Sequence, residues 1–105
     1  TYVFERPDVT AAPLVASRLI TDLGARPNPF NPQTVISFDL ARAADMVELR
    51  VVDLRGREVD RLRRAGLDAG RHAWTWRPIS LPSGVYLYRL EADGAVVTGR
   101  VLLAR

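Results

Sequence analysis

The feature that most constrains this chain is a run of short segments in which apolar and polar residues alternate, cut by turn residues at intervals of about ten. A period of two throws successive side chains to opposite faces, so each segment can bury one face and wet the other. No window sustains a helical period for long enough to compete. Residues 34–40 alternate most cleanly, with Ile36, Phe38 and Leu40 on one face. Residues 46–53 repeat the pattern, Val47, Leu49 and Val51 pointing inward and Glu48 and Arg50 outward. Residues 71–77 place His72, Trp74 and Trp76 together, and residues 85–92 do the same for Tyr86, Tyr88 and Leu90. A final segment, residues 96–104, turns Val97, Val101 and Leu103 inward.

The punctuation between these segments is equally informative. Leu54-Arg55-Gly56-Arg57 reads as a turn, and residues 66–70 as a turn region. Between them, residues 58–62 form a polar edge strand, whose neighbourhood of Asp60, Arg61, Arg63 and Arg64 guards against accidental pairing. Asp93-Gly94 is the sharpest hairpin signal, because the favoured two-residue turn needs positive φ. Residues 27–32, Pro27-Asn28-Pro29-Phe30-Asn31-Pro32, make a rigid loop whose prolines cannot sit inside a sheet. Asn28 and Asn31, each held extended by the proline that follows, are expected to close local turns, and Phe30 to plug one end of the fold. Upstream, residues 1–6 read as a short strand with Tyr2 and Phe4 on one face. Ala11-Ala12-Pro13 reads as a linker, and residues 14–23 as an apolar stretch of undetermined type.

These segments specify an all-β chain: an immunoglobulin-like antiparallel β-sandwich of about seven strands, with an extra N-terminal strand. The expected division is an N-terminal strand and linker over residues 1–24 and the sandwich over residues 25–105. The expected core comprises Ile36, Phe38, Val47, Leu49, Val51, Trp76, Tyr86, Tyr88 and Leu90. With 105 residues the chain can build one such core.

Composition narrows the function. Cysteine is absent, which excludes a disulfide framework and thiolate metal sites. No apolar run reaches the roughly 18 residues of a membrane-spanning helix. The absence of an initiator Met and of a basic-then-apolar leader reads as a mature or excised fragment. The formal charge is +3 and every basic residue is Arg, too weak a balance to imply nucleic acid without a clustered face. His72 is the sole histidine and shares a face with two tryptophans, which suits packing better than acid–base work. Ser17, Ser37, Ser80 and Ser83 have no recognisable base beside them, and the carboxylates are scattered over outward positions and turns. The expectation is a non-enzyme with no cofactor and no metal. Trp74, Trp76, Tyr86 and Tyr88 serve either as core or as a carbohydrate platform. The cluster Arg55, Arg57, Arg61, Arg63 and Arg64 is either a solvated edge or a contact for an anionic cell-surface glycolipid.

From residue 25 onward the chain resembles the C-terminal sorting domains of the type IX secretion system, and equally the related immunoglobulin-like domain of flagellar hook-capping proteins. The resemblance is carried by Pro27-Asn28-Pro29-Phe30-Asn31-Pro32-Gln33-Thr34 followed by Ile36, Phe38 and Leu40, and by residues 51–59 as the middle hairpin. Ala69-Gly70-Arg71-His72 with Trp76, then Ser83-Gly84-Val85-Tyr86-Leu87-Tyr88-Arg89-Leu90, continue it. Val101-Leu102-Leu103-Ala104-Arg105 matches the family's apolar final strand with a basic end. The chain departs from the pattern in a short segment over residues 77–82, where many relatives carry an Asp-rich loop, and in residues 1–24, which have no counterpart.

The resemblance implies a domain recognised for export across an outer membrane and attached to the surface, so an extracellular or outer-surface location. The machinery would read the loop Pro27, Asn28, Pro29, Phe30, Asn31 and Pro32, and the terminal hairpin and strand with Asp93, Gly94, Val101, Leu103 and Arg105. A different reading is an extracellular subunit that assembles into a filament by donating Tyr2, Val3, Phe4 and Val9 to a neighbour's open sheet edge. A hook-capping-like module is a third. Partners on these readings are the secretion machinery or copies of the chain itself, with an anionic glycolipid as a further candidate and no nucleic acid.

Overall fold

A computed structural model describes residues 19–105, which form seven strands. They are β1 (Ile20–Arg26), β2 (Thr34–Leu40), β3 (Ala44–Val52), β4 (Glu58–Leu67), β5 (Gly70–Trp76), β6 (Gly84–Ala92) and β7 (Ala95–Leu103). The expected N-terminal strand, with Tyr2, Val3, Phe4 and Val9, lies outside the described residues.

The strands divide into a three-stranded sheet in the order β1-β2-β5 and a four-stranded sheet in the order β4-β3-β6-β7. Every pairing is antiparallel. β1–β2, β3–β4 and β6–β7 are neighbours within a sheet, whereas the other connections cross between sheets. That arrangement is an immunoglobulin-like sandwich. The alternating sequence drives it: Thr34, Ile36, Phe38 and Leu40 of β2 are buried against Val47, Leu49 and Val51 of β3 and Tyr86, Tyr88 and Leu90 of β6. Each such large apolar side chain contributes on the order of 1.5–3 kcal/mol by leaving water. Tyr88 fits because its cross-strand partner is Gly99; a Cβ there would overlap the Tyr88 ring.

Several local expectations need correction. The polar edge strand is longer than residues 58–62, running to Leu67, so the turn narrows to residues 68–69. Gly66 adopts φ of 66°, which a residue without Cβ tolerates, and the strand continues through it instead of stopping. The described part of the apolar stretch of undetermined type supplies buried Leu19 and the start of β1, which runs across residues 24 and 25 and buries Ile20. A bulge between Thr21 and Gly24 breaks its alternation, and Asp22, at φ of 55°, aims its carboxylate at Arg71 from 2.6 Å. Asp60 is not simply an edge charge. The regular β3–β4 register sets it opposite buried Val51, where its Oδ2 accepts the Trp76 indole hydrogen bond at 2.8 Å.

Candidate recognition surface

The loop between β1 and β2 and the end of β7 meet at one end of the sandwich. Phe30 is fully buried there. Its N–H donates to the Leu102 carbonyl at 2.9 Å, and its own carbonyl accepts from the Ala104 N–H at 3.0 Å. These bonds make a parallel bridge between Phe30 and Leu103 on the open edge of β7. Asn28 extends the bridge with its side chain: Nδ2 donates to the Arg100 carbonyl at 3.2 Å, and Oδ1 accepts from the Leu102 N–H at 3.0 Å. The side chain therefore reaches the terminal strand instead of closing a local turn. The physical reason is that a carboxamide carries a donor and an acceptor like a peptide group, so it can pair with a strand where adjacent prolines have no N–H to offer.

Beneath the loop, aromatic rings set its height. Phe30 lies 5.5 Å from Trp76 between centroids, and Trp76 meets Tyr86 edge-on at 5.9 Å. The Tyr86 hydroxyl donates to the Pro82 carbonyl at 2.7 Å, a tyrosine corner at the start of β6. Thr34, wholly buried, donates its hydroxyl to the Pro27 carbonyl at 2.8 Å and ties the loop to β2. Arg105 completes this end. Its Nε donates to the Leu81 carbonyl at 2.7 Å and its Nη2 to the Pro78 carbonyl at 2.9 Å, while its N–H donates to Ser83 Oγ at 2.9 Å. The last residue thus clasps the β5–β6 connection.

A family model for the secretion system C-terminal sorting domain matches residues 26–104, and so takes in both the loop and the terminal strand. The chain belongs to the type IX sorting-domain family. No curated protein matches it. A sorting domain of this family is a targeting signal for secretion rather than a catalytic unit, which places its working location outside the cell or at its surface. Among the described residues no helix is long and apolar enough to cross a membrane.

The sorting domain brings together some of the residues singled out from sequence and separates others. Pro27, Asn28, Pro29, Phe30, Asn31 and Pro32 share one end with Val101, Leu103 and Arg105, of which Val101 and Leu103 are buried. Asp93 and Gly94 lie at the opposite end, in the β6–β7 turn. With φ of 46° and 92° they have the positive values the turn requires. The Asp93 carboxylate accepts from the Asp45 and Met46 N–H groups at 2.9 and 3.2 Å, pinning the hairpin to the start of β3.

The arginines of the cluster divide between different carboxylate partners. Arg61 and Arg63 turn back onto Glu48 at 3.8 and 3.2 Å; Arg50 joins them at 2.9 Å, and Arg61 also holds Glu58 at 2.8 Å. Burial works to raise the Glu48 pKa, but the Arg50 hydrogen bond and the charges of Arg50, Arg63 and Arg61 hold it below its ordinary value. Arg57 instead caps Asp53 at 2.8 Å. Burial raises the Asp53 pKa too, and is outweighed by hydrogen bonds from Arg57 and Arg55 that leave it lowered. Of the aromatic set, Trp76, Tyr86 and Tyr88 are core. Trp74 is half-buried, edge-on to Phe38 at 5.4 Å. His72 packs 5.6 Å from Phe38 with Nε2 2.7 Å from the Asp68 carbonyl oxygen. Arg105 and the 54–57 turn were singled out from sequence, but the carbonyls of Pro78 and Leu81 that Arg105 binds carry no residue-specific signal.

Proposed function

We propose that this domain is read, without doing chemistry itself, by the outer-membrane type IX machinery, and that the rigid end formed by residues 27–32 and the terminal strand is the feature read. The observation that carries the reading is the two-point clip of Asn28 onto β7, continued by the Phe30 backbone. It fuses the loop and the last strand into one pre-ordered unit, and an ordered unit loses little conformational freedom when a partner binds it. Attachment of the carrier protein to the cell surface then follows export. Filament assembly by strand donation rests on Tyr2, Val3, Phe4 and Val9, and no feature of the described residues favours it over the sorting role.

The test is to fuse the whole chain to the C-terminus of a periplasmic reporter in a host with a working type IX system. Reporter activity is expected outside the cell, and to stay in the periplasm when the system is deleted. Retention in both hosts would remove the proposal.

A further inference from the structure

At the end that carries the loop and the terminus, Phe30 is buried and the Asn28 carboxamide is engaged on β7, while Pro27, Pro29, Asn31 and Pro32 are exposed. The two neighbouring connections add apolar surface to what a partner would meet beside the loop. Leu54, in the β3–β4 turn, and Ile79, in the β5–β6 connection, are the most exposed large apolar side chains among the described residues, at 70% and 87%. Both sit on connections held rigid by hydrogen bonds. Asp53 Oδ1 accepts from the Arg55 and Arg57 N–H groups at 2.9 and 3.0 Å, with a backbone bond from Asp53 to the Arg57 carbonyl at 2.9 Å. Arg105 and the Tyr86 hydroxyl fix the opposing carbonyls of Pro78, Leu81 and Pro82.

Between the two connections lies a hollow of about 360 Å³, with Leu54, Val59, Leu81 and Pro82 along its apolar wall and Arg55 and Arg57 at its rim. Asp53 lines it too, but its carboxylate is already engaged by Arg55 and Arg57. Arg55 meets that carboxylate only through its backbone N–H, and its guanidinium pairs with no carboxylate among the described residues. The Arg57 side chain, though capped on Asp53 through Nε, is 70% exposed. The hollow is therefore apolar within and cationic at its edge. A small preformed pocket of that kind suits a single apolar anchor, and guanidinium groups favour planar carboxylates.

We propose that this hollow docks an acidic segment of a partner protein, which inserts one apolar side chain between Leu54 and Leu81 and sets its carboxylates against Arg55 and Arg57. The identity of that partner as the secretion machinery rests on the recognition reading above. Leu54 and Arg55 then contact the segment at the hollow and exposed Ile79 contacts it beside the hollow, next to the loop over residues 27–32.

The experiment compares secretion of the reporter fused to the unaltered chain with the variants Leu54→Asp, Ile79→Asp and Arg55→Glu, and with Arg89→Glu on the outer face of the four-stranded sheet. Melting midpoints of the same purified chains are measured alongside. The three loop variants are expected to keep the unaltered midpoint and lose at least about tenfold in secreted reporter, with Arg89→Glu unaffected. Secretion of the loop variants at the unaltered level would overturn the docking site and leave the sorting reading intact. An equal loss in Arg89→Glu would also overturn it, by making the effect one of general charge. Failure of the unaltered chain itself to be secreted would remove the sorting reading and the docking site with it.

Discussion

At the scale of the residue, Asn28 shows how one side chain can substitute for a strand. It satisfies a donor and an acceptor on the outer edge of β7 that would otherwise face water or another chain's backbone. Asn28→Ala removes both bonds and is expected to destabilise the domain by about 1–3 kcal/mol, read from the urea midpoint. An unchanged midpoint would mean that Phe30 alone holds the loop. Glu48 is a second such residue, since its outward position on β3 is roofed by Arg50, Arg61 and Arg63. The depressed pKa values of Glu48 and Asp53 set the sign of a pH dependence. Their contribution to stability is present above the ordinary carboxylate range and is lost as pH falls through and below it. The urea midpoint should therefore fall as pH drops below about 4, and fall less steeply in Glu48→Gln. Parallel pH curves for the two proteins would show that Glu48 plays no part.

At the scale of the element, β1 is the strand whose role is easiest to misjudge. It covers the edge of β2 and buries Leu19, Ile20 and Ala25 in the common core. The family match begins only at Arg26, the last residue of β1. A chain shortened to residues 26–105 is expected to lose roughly 3–6 kcal/mol, the burial of two large aliphatic side chains, whereas one shortened to residues 19–105 keeps β1 and its packing. Equal urea midpoints for the two would show that β1 is dispensable to the folded unit. β4 tells the complementary story. It is a long exposed edge, and its outward arginines are drawn across to Glu48 and Glu58, stiffening the edge while keeping it charged.

At the scale of the whole molecule, both sheets contribute to one buried cluster, from Leu19 and Phe38 on one side to Leu49, Leu90 and Leu103 on the other. Neither sheet can keep its apolar face covered without the other. Unfolding is therefore expected as a single transition, with coincident melting of far-ultraviolet and near-ultraviolet circular dichroism; separated midpoints would show that the sheets come apart independently. The two ends of the sandwich are also unequal in what they carry. One end gathers the proline loop, the terminus and the two exposed apolar side chains, while the Asp93-Gly94 turn closes the other.

Much of this was legible in the sequence, because strand parity is local. The alternation of β2, β3 and β6 announces which of Ile36, Phe38, Val47, Leu49, Val51, Tyr86, Tyr88 and Leu90 share a face, and Asp93-Gly94 announces its own turn geometry. The family resemblance could likewise be read from motif order alone. What the sequence could not supply were contacts between distant segments and departures from period two. The bulge hid β1, the glycine at position 66 hid the length of β4, and the Asp60 side chain meets Trp76 of the other sheet, a contact no local pattern marks. Asn28 on β7 and Arg105 on the β5–β6 connection bind backbone carbonyls, which every residue possesses, so no residue pattern marks the partner. Periodicity determined the strands and the core; only the three-dimensional closure of the sandwich decided which loops meet, because contacts between distant segments leave no local pattern.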